Sequence, residues 1–294
     1  MKLFKVILVL VVLFASYYFY LSGGFLKVAS YFDSSLNLPD LSLESLKTGV
    51  EKGKEFLPDP LVRKDKNSDG KILNSSLILE ETNRHRKENG LPPFVLNSKL
   101  SLAARVKTED MFKDQYFEHE SPAGKSASDL VSEAGYGFIV VGENLAMGHF
   151  KDENDLVTAW MNSPGHRANI LGAQFKEIGI YVARGEYKGD SVWMSVQEFA
   201  TSESVCEKPF NSDKNKIEED IDALETINQK LKELKQAIST ANKNDPSYNK
   251  LIEDYNSLVV KYNAGTLLIK ENTEKYNIDV RSYNACIAEY TSEN

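Results

Sequence analysis

The chain has 294 residues, of which 41% are hydrophobic and 27% charged, with a formal net charge of −8. That length holds one sizeable core with accessory segments, or two modest domains. The acidic balance leaves no basic footprint for nucleic acid, and it names no other partner.

The first 25 residues, MKLFKVILVLVVLFASYYFYLSGGF, set Lys2 and Lys5 before an uncharged run from Val6 to Phe25. A run of this length suits a transmembrane helix better than the short apolar core of a signal peptide. Tyr17, Tyr18 and Tyr20 fit an interfacial aromatic belt, and the two lysines favour an N-in orientation. The expectation is a signal anchor, single-pass in the cell membrane, with the remainder outside the cytoplasm. A cleaved signal peptide, cut late near Lys27–Ser30, would instead leave a secreted protein, and a buried core helix is the third reading.

Residues 26–75 mix prolines, charges and a short amphipathic piece around Leu43 to Phe56, and read as a linker. Within it, Asp65, Asn67, Asp69 and Gly70 stand at positions 1, 3, 5 and 6 of a calcium-loop pattern. Position 12 calls for a bidentate acid and is Ser76, so a solvated turn is the simpler reading.

Residues 76–201 read as one mixed α/β domain. SLILEETNRHRKENG is a helix closed by Gly90, and a second helix follows an Asn97/Ser98 cap with Leu100, Ala103, Ala104, Val106 and Met111 on its apolar face. SASDLVSEAG and DENDLVTAWMN are shorter helices. EIGIYVARG and SVWMSVQEFA alternate as strands and are joined by EYKGD as a hairpin. Helices followed by an antiparallel hairpin predict an α+β fold with helices on one or both sheet faces.

Residues 202–294 change texture. Ile217, Ile221, Leu224, Ile227, Leu231, Leu234 and Ile238 recur at steps of four and three, a coiled-coil seam. After the break NKNDPS, Tyr-Asn repeats every seven residues at 248, 255 and 262 and again at 276 and 283. The segment is predicted to be an antiparallel helical hairpin, a structural brace or a partner-binding stalk. Its 12 Lys and Arg against 16 Asp and Glu after Val205 exclude a polybasic membrane element. The chain's two cysteines, Cys206 and Cys286, are equidistant from Pro246 in the break. Helices folding back there bring them level, and an even count behind an export signal supports a disulfide between them. Closing so long a loop contributes about 4 kcal/mol in the chain-entropy model.

All four histidines lie in the α/β domain. His85 stands among Arg84, Arg86 and Lys87 and reads as a surface residue, as does His149 after GENLAMG. His119 precedes a Ser-Pro-Ala-Gly turn, His166 follows Ser-Pro-Gly at a helix head, and Glu143 follows an apolar run that turns it inward. Two imidazoles and a carboxylate on separate segments can bind a divalent metal, do acid–base work, or form a structural hydrogen-bonded network. Ser121 beside His119 and Ser163 beside His166 are candidate nucleophile pairs, although residues so close in sequence rarely take that geometry. No G-x-S-x-G elbow or Walker A loop occurs, and GYGFIVVG (Gly135 to Gly142) lacks the spacing of a dinucleotide fingerprint.

The ordered set TNRHRKENGLPPFVLN, FEHESPAG, GENLA, AWMNSPGHRANIL, FKEIGIYVARG and VQEFA closely resembles the bacterial branch of the CAP superfamily, also called SCP/PR-1-like or cysteine-rich secretory proteins. The resemblance covers roughly residues 76 to 200. It implies an α-β-α sandwich with a central antiparallel sheet and a cleft lined by two histidines and acids, which in some members binds zinc or another divalent cation. It carries the cleft positions onto His119, Glu143 and His166, as catalytic or metal-binding residues, and places Gln197 of VQEF facing the cleft. The longer eukaryotic members have a second cleft acid shortly after the helix tryptophan. Here Trp160 is followed by Met161, Asn162 and Ser163.

The expected function is a membrane-anchored extracytoplasmic binding module for a divalent metal or an envelope or lipid-like ligand. A metal- or His/Glu-dependent hydrolase, protease-like in kind, is the first alternative. An interaction protein acting on an unknown partner through the C-terminal coiled coil is the second.

Overall fold

The computed structural model describes residues 54–64 and 72–292. The expected signal anchor and the calcium-loop pattern at Asp65–Gly70 lie outside the described residues. Among the described residues, no helix is long and apolar enough to cross a membrane.

The chain divides into two units, with residues 217–271 separated from a larger unit that holds residues 54–216 and 272–292. The larger unit is built on a six-stranded sheet. Its strands are β1 (Lys54–Phe56), β2 (Leu61–Arg63), β3 (Val95–Leu96), β4 (Phe138–Gly148), β5 (Glu177–Tyr187) and β6 (Asp190–Ser202). The spatial order is β1-β4-β6-β5-β3, with β2 also on β4. The central β4–β6 and β5–β6 pairs are antiparallel, and the short edge strands pair in parallel. The β5–β6 connection is tight because Lys188 and Gly189 take φ of 52° and 85°, the left-handed pair a two-residue hairpin turn requires.

Helices cover both faces, as the three-layer expectation has it. They are α1 (Ser75–Glu88), α2 (Ser98–Asp114), α3 (Ala127–Glu133), α4 (Glu153–Asn162) and α5 (Pro164–Ile170). On one face Leu100, Ala103, Ala104, Met111, Leu130 and Val131 of α2 and α3 meet Val141, Leu145, Met194 and Val196. On the other, Ile78, Leu156, Trp160 and Ile170 of α1, α4 and α5 meet Val140, Ala146, Ile178 and Phe199. Helices α1 to α4 each start where a side chain can take an orphan amide: Asn74, Asn97, Ser126 and Asp152 are their caps. Helix α5 opens on Pro164 at its first turn, where a missing N–H costs nothing. Buried Arg86 fixes the far end of α5 by donating to the Ile170 and Gly172 carbonyls at 2.8 and 3.0 Å.

One stretch differs from its reading as linker. Lys54–Phe56 pairs with Val140–Gly142 and Leu61–Arg63 with Ala146–Gly148, so residues 54–63 belong to the sheet edge. Strands of three residues separated by two prolines carry almost no periodicity, and their pairing is visible only once β4 presents its open edge.

Beyond the sheet, α6 (Asn211–Thr240) and α7 (Ser247–Thr291) flank the break around Pro246. Within residues 217–271, Ile217, Leu224 and Leu231 are buried at seven-residue intervals on α6, as are Tyr262 and Ile269 on α7. The seam is continued by half-buried Ile221, Ile227, Leu234 and Ile238. The last turns of α7 belong to the larger unit: Tyr283 and Ile287 join the core beside Cys206. Cys206 and Cys286 form a disulfide across a Cα–Cα distance of 5.8 Å.

Candidate functional site

Strand β4 carries the site. On the edge away from β6, β1 pairs with it as far as Gly142 and β2 from Ala146 onward, so Glu143, Asn144 and Leu145 face an interruption in the ladder. Leu57, Pro58, Asp59 and Pro60 cross that interruption, and a proline has no N–H with which to continue the pairing.

Glu143 points to the α2 face and is wholly buried. Its Oε1 lies 2.6 Å from His119 Nδ1. The other ring nitrogen of His119 contacts the Pro58 carbonyl. A carbonyl can only accept, so Nε2 carries a hydrogen, and the contact to Glu143 then needs a second proton, on the ring or on the carboxyl group. Burial works to lower the His119 pKa, but the hydrogen bond and charge of Glu143, with the Pro58 contact, outweigh it and raise the ring above its ordinary value. That direction favours the ring as the place of the second proton, which strengthens its hydrogen bond to Glu143.

Two buried residues stand behind it that the motifs did not single out. Glu198 of β6 is the cross-strand partner of Glu143. Burial first, then the Glu143 charge and a hydrogen bond to it, hold Glu198 well above the usual carboxylate range. As carboxylates, Glu143 Oε2 and both Glu198 oxygens find no donor. A proton on Glu198 supplies one. The second acid missing after Trp160 is thus met, in kind, by a carboxyl from β6. Lys107 of α2 is fully buried and donates to the His119 carbonyl at 2.5 Å. Burial pushes its ammonium below the ordinary range, against the pull of Glu143 and Glu198.

His166 belongs to α5, on the opposite face. It is 1% exposed, with Nδ1 2.7 Å from Ser163 Oγ and the Leu145 carbonyl beside the ring. Burial, followed by the charge on His119, pushes it down to about 4, so the ring is neutral. Its own carbonyl accepts from Asn144 at 3.2 Å.

Gln197 does not join His119 and Glu143. One residue before Glu198, it points the other way, bonding Asn144 at 3.1 Å and Thr82 at 2.9 Å. It lies on the face of His166, in a buried amide network completed by Asn169, which donates to Asn144 Oδ1 at 3.0 Å and to the Phe56 carbonyl at 3.0 Å. His85 is half-buried beside Glu88, and His149 directly follows the end of β4.

The parts of a nucleophilic relay are present but divided. A serine touches His166, whose second nitrogen has no acid; a carboxylate touches His119, whose second nitrogen meets a carbonyl. For zinc the fit is poor in this arrangement. Both His119 nitrogens are engaged, and no three His, Cys, Asp or Glu side chains among the described residues are placed to share an ion.

The family model described as CAP, the cysteine-rich secretory protein family, matches residues 79–199. Uncharacterized protein YkwD of Bacillus subtilis (strain 168) is 40% identical over 116 residues, 40% of this chain and 43% of that protein. Uncharacterized membrane protein YlbC of the same organism is 33% identical over 110 residues, 37% of this chain and 32% of that protein. The chain therefore matches less than half the length of these curated relatives. Among solved structures, an extracellular SCP-domain protein from Bacillus anthracis str. Ames is similar at 30% identity and a TM-score of 0.38, over 44% of this chain and 40% of that one. An outer surface protein from Borrelia burgdorferi is similar at 22% identity and a TM-score of 0.39, over 43% of this chain and 91% of that one.

Proposed function

With residues 79–199 a CAP domain of the cysteine-rich secretory protein family, we propose that the chain is a bacterial-type extracytoplasmic binding module whose ligand meets β4 between His119 and His166. The observation that carries this reading is the interruption of the β4 ladder at Glu143–Leu145, where the buried His119–Glu143 pair meets a main-chain carbonyl of residues 57–60. An open stretch of strand edge and a buried polar pair are both costly, and such groups concentrate where a ligand completes them. The ligand is one that accepts a hydrogen bond from His119.

Placement outside the cytoplasm is supported by the apolar run of residues 1–25 and by the Cys206–Cys286 disulfide, a bond of oxidising compartments. One curated relative carries the name membrane protein. In this reading residues 1–25 anchor the chain, and protease shaving of intact cells removes the CAP domain from them.

Ligand-observed NMR of the whole chain against a set of hydroxyl- and amide-bearing fragments tests the binding reading. Hits that vanish in both His119→Ala and His166→Ala support it, and a screen without such hits rejects it. Zinc titration of the same proteins by calorimetry tests metal binding separately. A second reading, hydrolysis, is favoured by the Ser163–His166 contact alone. It requires turnover of an ester and peptide panel that Ser163→Ala abolishes.

A further inference from the structure

Residues 54–63 lie along β4 as a strand ligand would. Their two ends pair in parallel with β4, while the middle, Leu57–Pro60, covers the site. The contacts from the site reach the strap's main chain. Asn169 Nδ2 donates to the Phe56 carbonyl at 3.0 Å, and His119 Nε2 donates to that of Pro58. Such recognition is indifferent to the side chains of the strand being held.

The side chains add anchoring at the ends. Phe56 packs edge-on against Phe175 with ring centres 5.5 Å apart, and Arg63 reaches Asp155 at 2.6 Å. Glu55 accepts from the Ser128 amide at 3.1 Å, at the head of α3. Closure over the site needs a residue without a side chain on α5. A Cβ on Gly165 would stand 2.6 Å from Pro58 Cβ. Open hollows lie at the two ends of the strap, one beside Lys54, Phe56 and Asn169, the other beside Val62, Arg63 and Met147.

We propose that the CAP cleft of this protein is a receptor for an extended peptide strand, and that residues 54–63 occupy it in cis as a displaceable strap. The ligand is a peptide running parallel to β4 that gives main-chain carbonyls to Asn169 and His119 and apolar side chains to the hollows at either end. The proposal rests on the binding reading above and gives it a ligand class. An incoming strand must compete with a tethered one, so occupancy of the strap sets the affinity seen for any peptide in trans.

The probe is a fluorescent decapeptide with the sequence of residues 54–63, KEFLPDPLVR, titrated into the whole chain. The receptor is either the parent or a Phe56→Ser/Arg63→Ser variant that loosens both anchors. Binding at least about tenfold tighter to the loosened variant is expected, given a strap that is mostly in place. Hydrogen exchange should show the amides of residues 54–63 released while those of β4 and β6 stay protected. Equal binding to both proteins, or none to a loosened variant whose strap amides exchange freely, overturns the proposal.

Protected amides in β4 and β6 guard against a loosened protein that does not fold. The single variant Phe56→Ser gives a milder release of the same strap. Peptide binding by that variant intermediate between parent and double variant supports the strap, and release of the strap amides with no gain in binding rejects it. Fragments that bind through His119 and His166 in a protein that ignores the peptide would sink this inference and leave the binding reading standing. Loss of both sinks both.

Discussion

Strands β4 and β6 place two polar pairs side by side, Glu143 with Glu198 and Asn144 with Gln197, and the pleat sends them to opposite faces. On the amide face the hydrogen bonds run in one chain. Asn169 donates to Asn144, Asn144 to Gln197, Gln197 to Thr82 and Thr82 to the Ile78 carbonyl of α1. Every step pairs a donor with an acceptor, so these four side chains are satisfied within the protein. On the carboxyl face two acids confront each other beside His119 and a buried lysine, and they can do so only with a proton between them. The lesson is that buried polarity has two forms on one ladder: an amide network in which every donor meets an acceptor, and an acid pair that is tolerated only by holding a proton.

The largest expected effect comes from removing the cation behind the acids. Lys107→Met should cost about 1–3 kcal/mol in urea unfolding, because it leaves the buried His119 carbonyl without the ammonium that donates to it. A loss below about 0.5 kcal/mol would mean that water takes the place of Lys107 at that carbonyl. The matching change on the other face, Asn144→Ala, strands Asn169, Gln197 and the His166 carbonyl. About 1–3 kcal/mol is expected, read by the same unfolding experiment.

Two finer tests appear as slopes with pH. Glu198 has a raised pKa in the folded state, so the unfolded chain ionises first and the parent loses stability as pH rises above about 4.5. Glu198→Gln removes that loss. It should gain on the parent from pH 4 to pH 8, and parallel curves would show that Glu198 is ionised when folded. His166 behaves oppositely. Its folded pKa of about 4 lies below the ordinary 6.5, so the unfolded chain takes up the proton first and stability falls as pH drops through that window. His166→Gln should flatten that acid slope, measured by denaturation at pH 7, 5.5 and 4.

Much of the frame could be read from the residues. Asn97 caps α2, Lys188–Gly189 turns the β5–β6 hairpin, and the seven-residue spacing of Ile217, Leu224 and Leu231 reports the buried seam of α6. These signals are local: a cap, a turn and a helical period each depend on residues within a few positions. The site was legible only in part. The motif residues His119 and Glu143 do meet, yet Gln197 sits on the opposite face and Glu198, its neighbour, takes the place beside Glu143. Which of two adjacent polar residues faces the carboxyl cluster depends on the register between β4 and β6, strands more than forty residues apart in the chain.

The sequence by itself determined the helices and their ends, the hairpin, the heptad tail and the choice of Cys206 and Cys286 as partners, because each is written in short-range spacing or in a count of two. Only the tertiary structure decided that Lys107 and Glu198 are buried against Glu143, and that residues 54–63 close the edge of β4. Burial of a charge and occupation of a strand edge depend on what the rest of the chain brings alongside, and no local pattern carries that information.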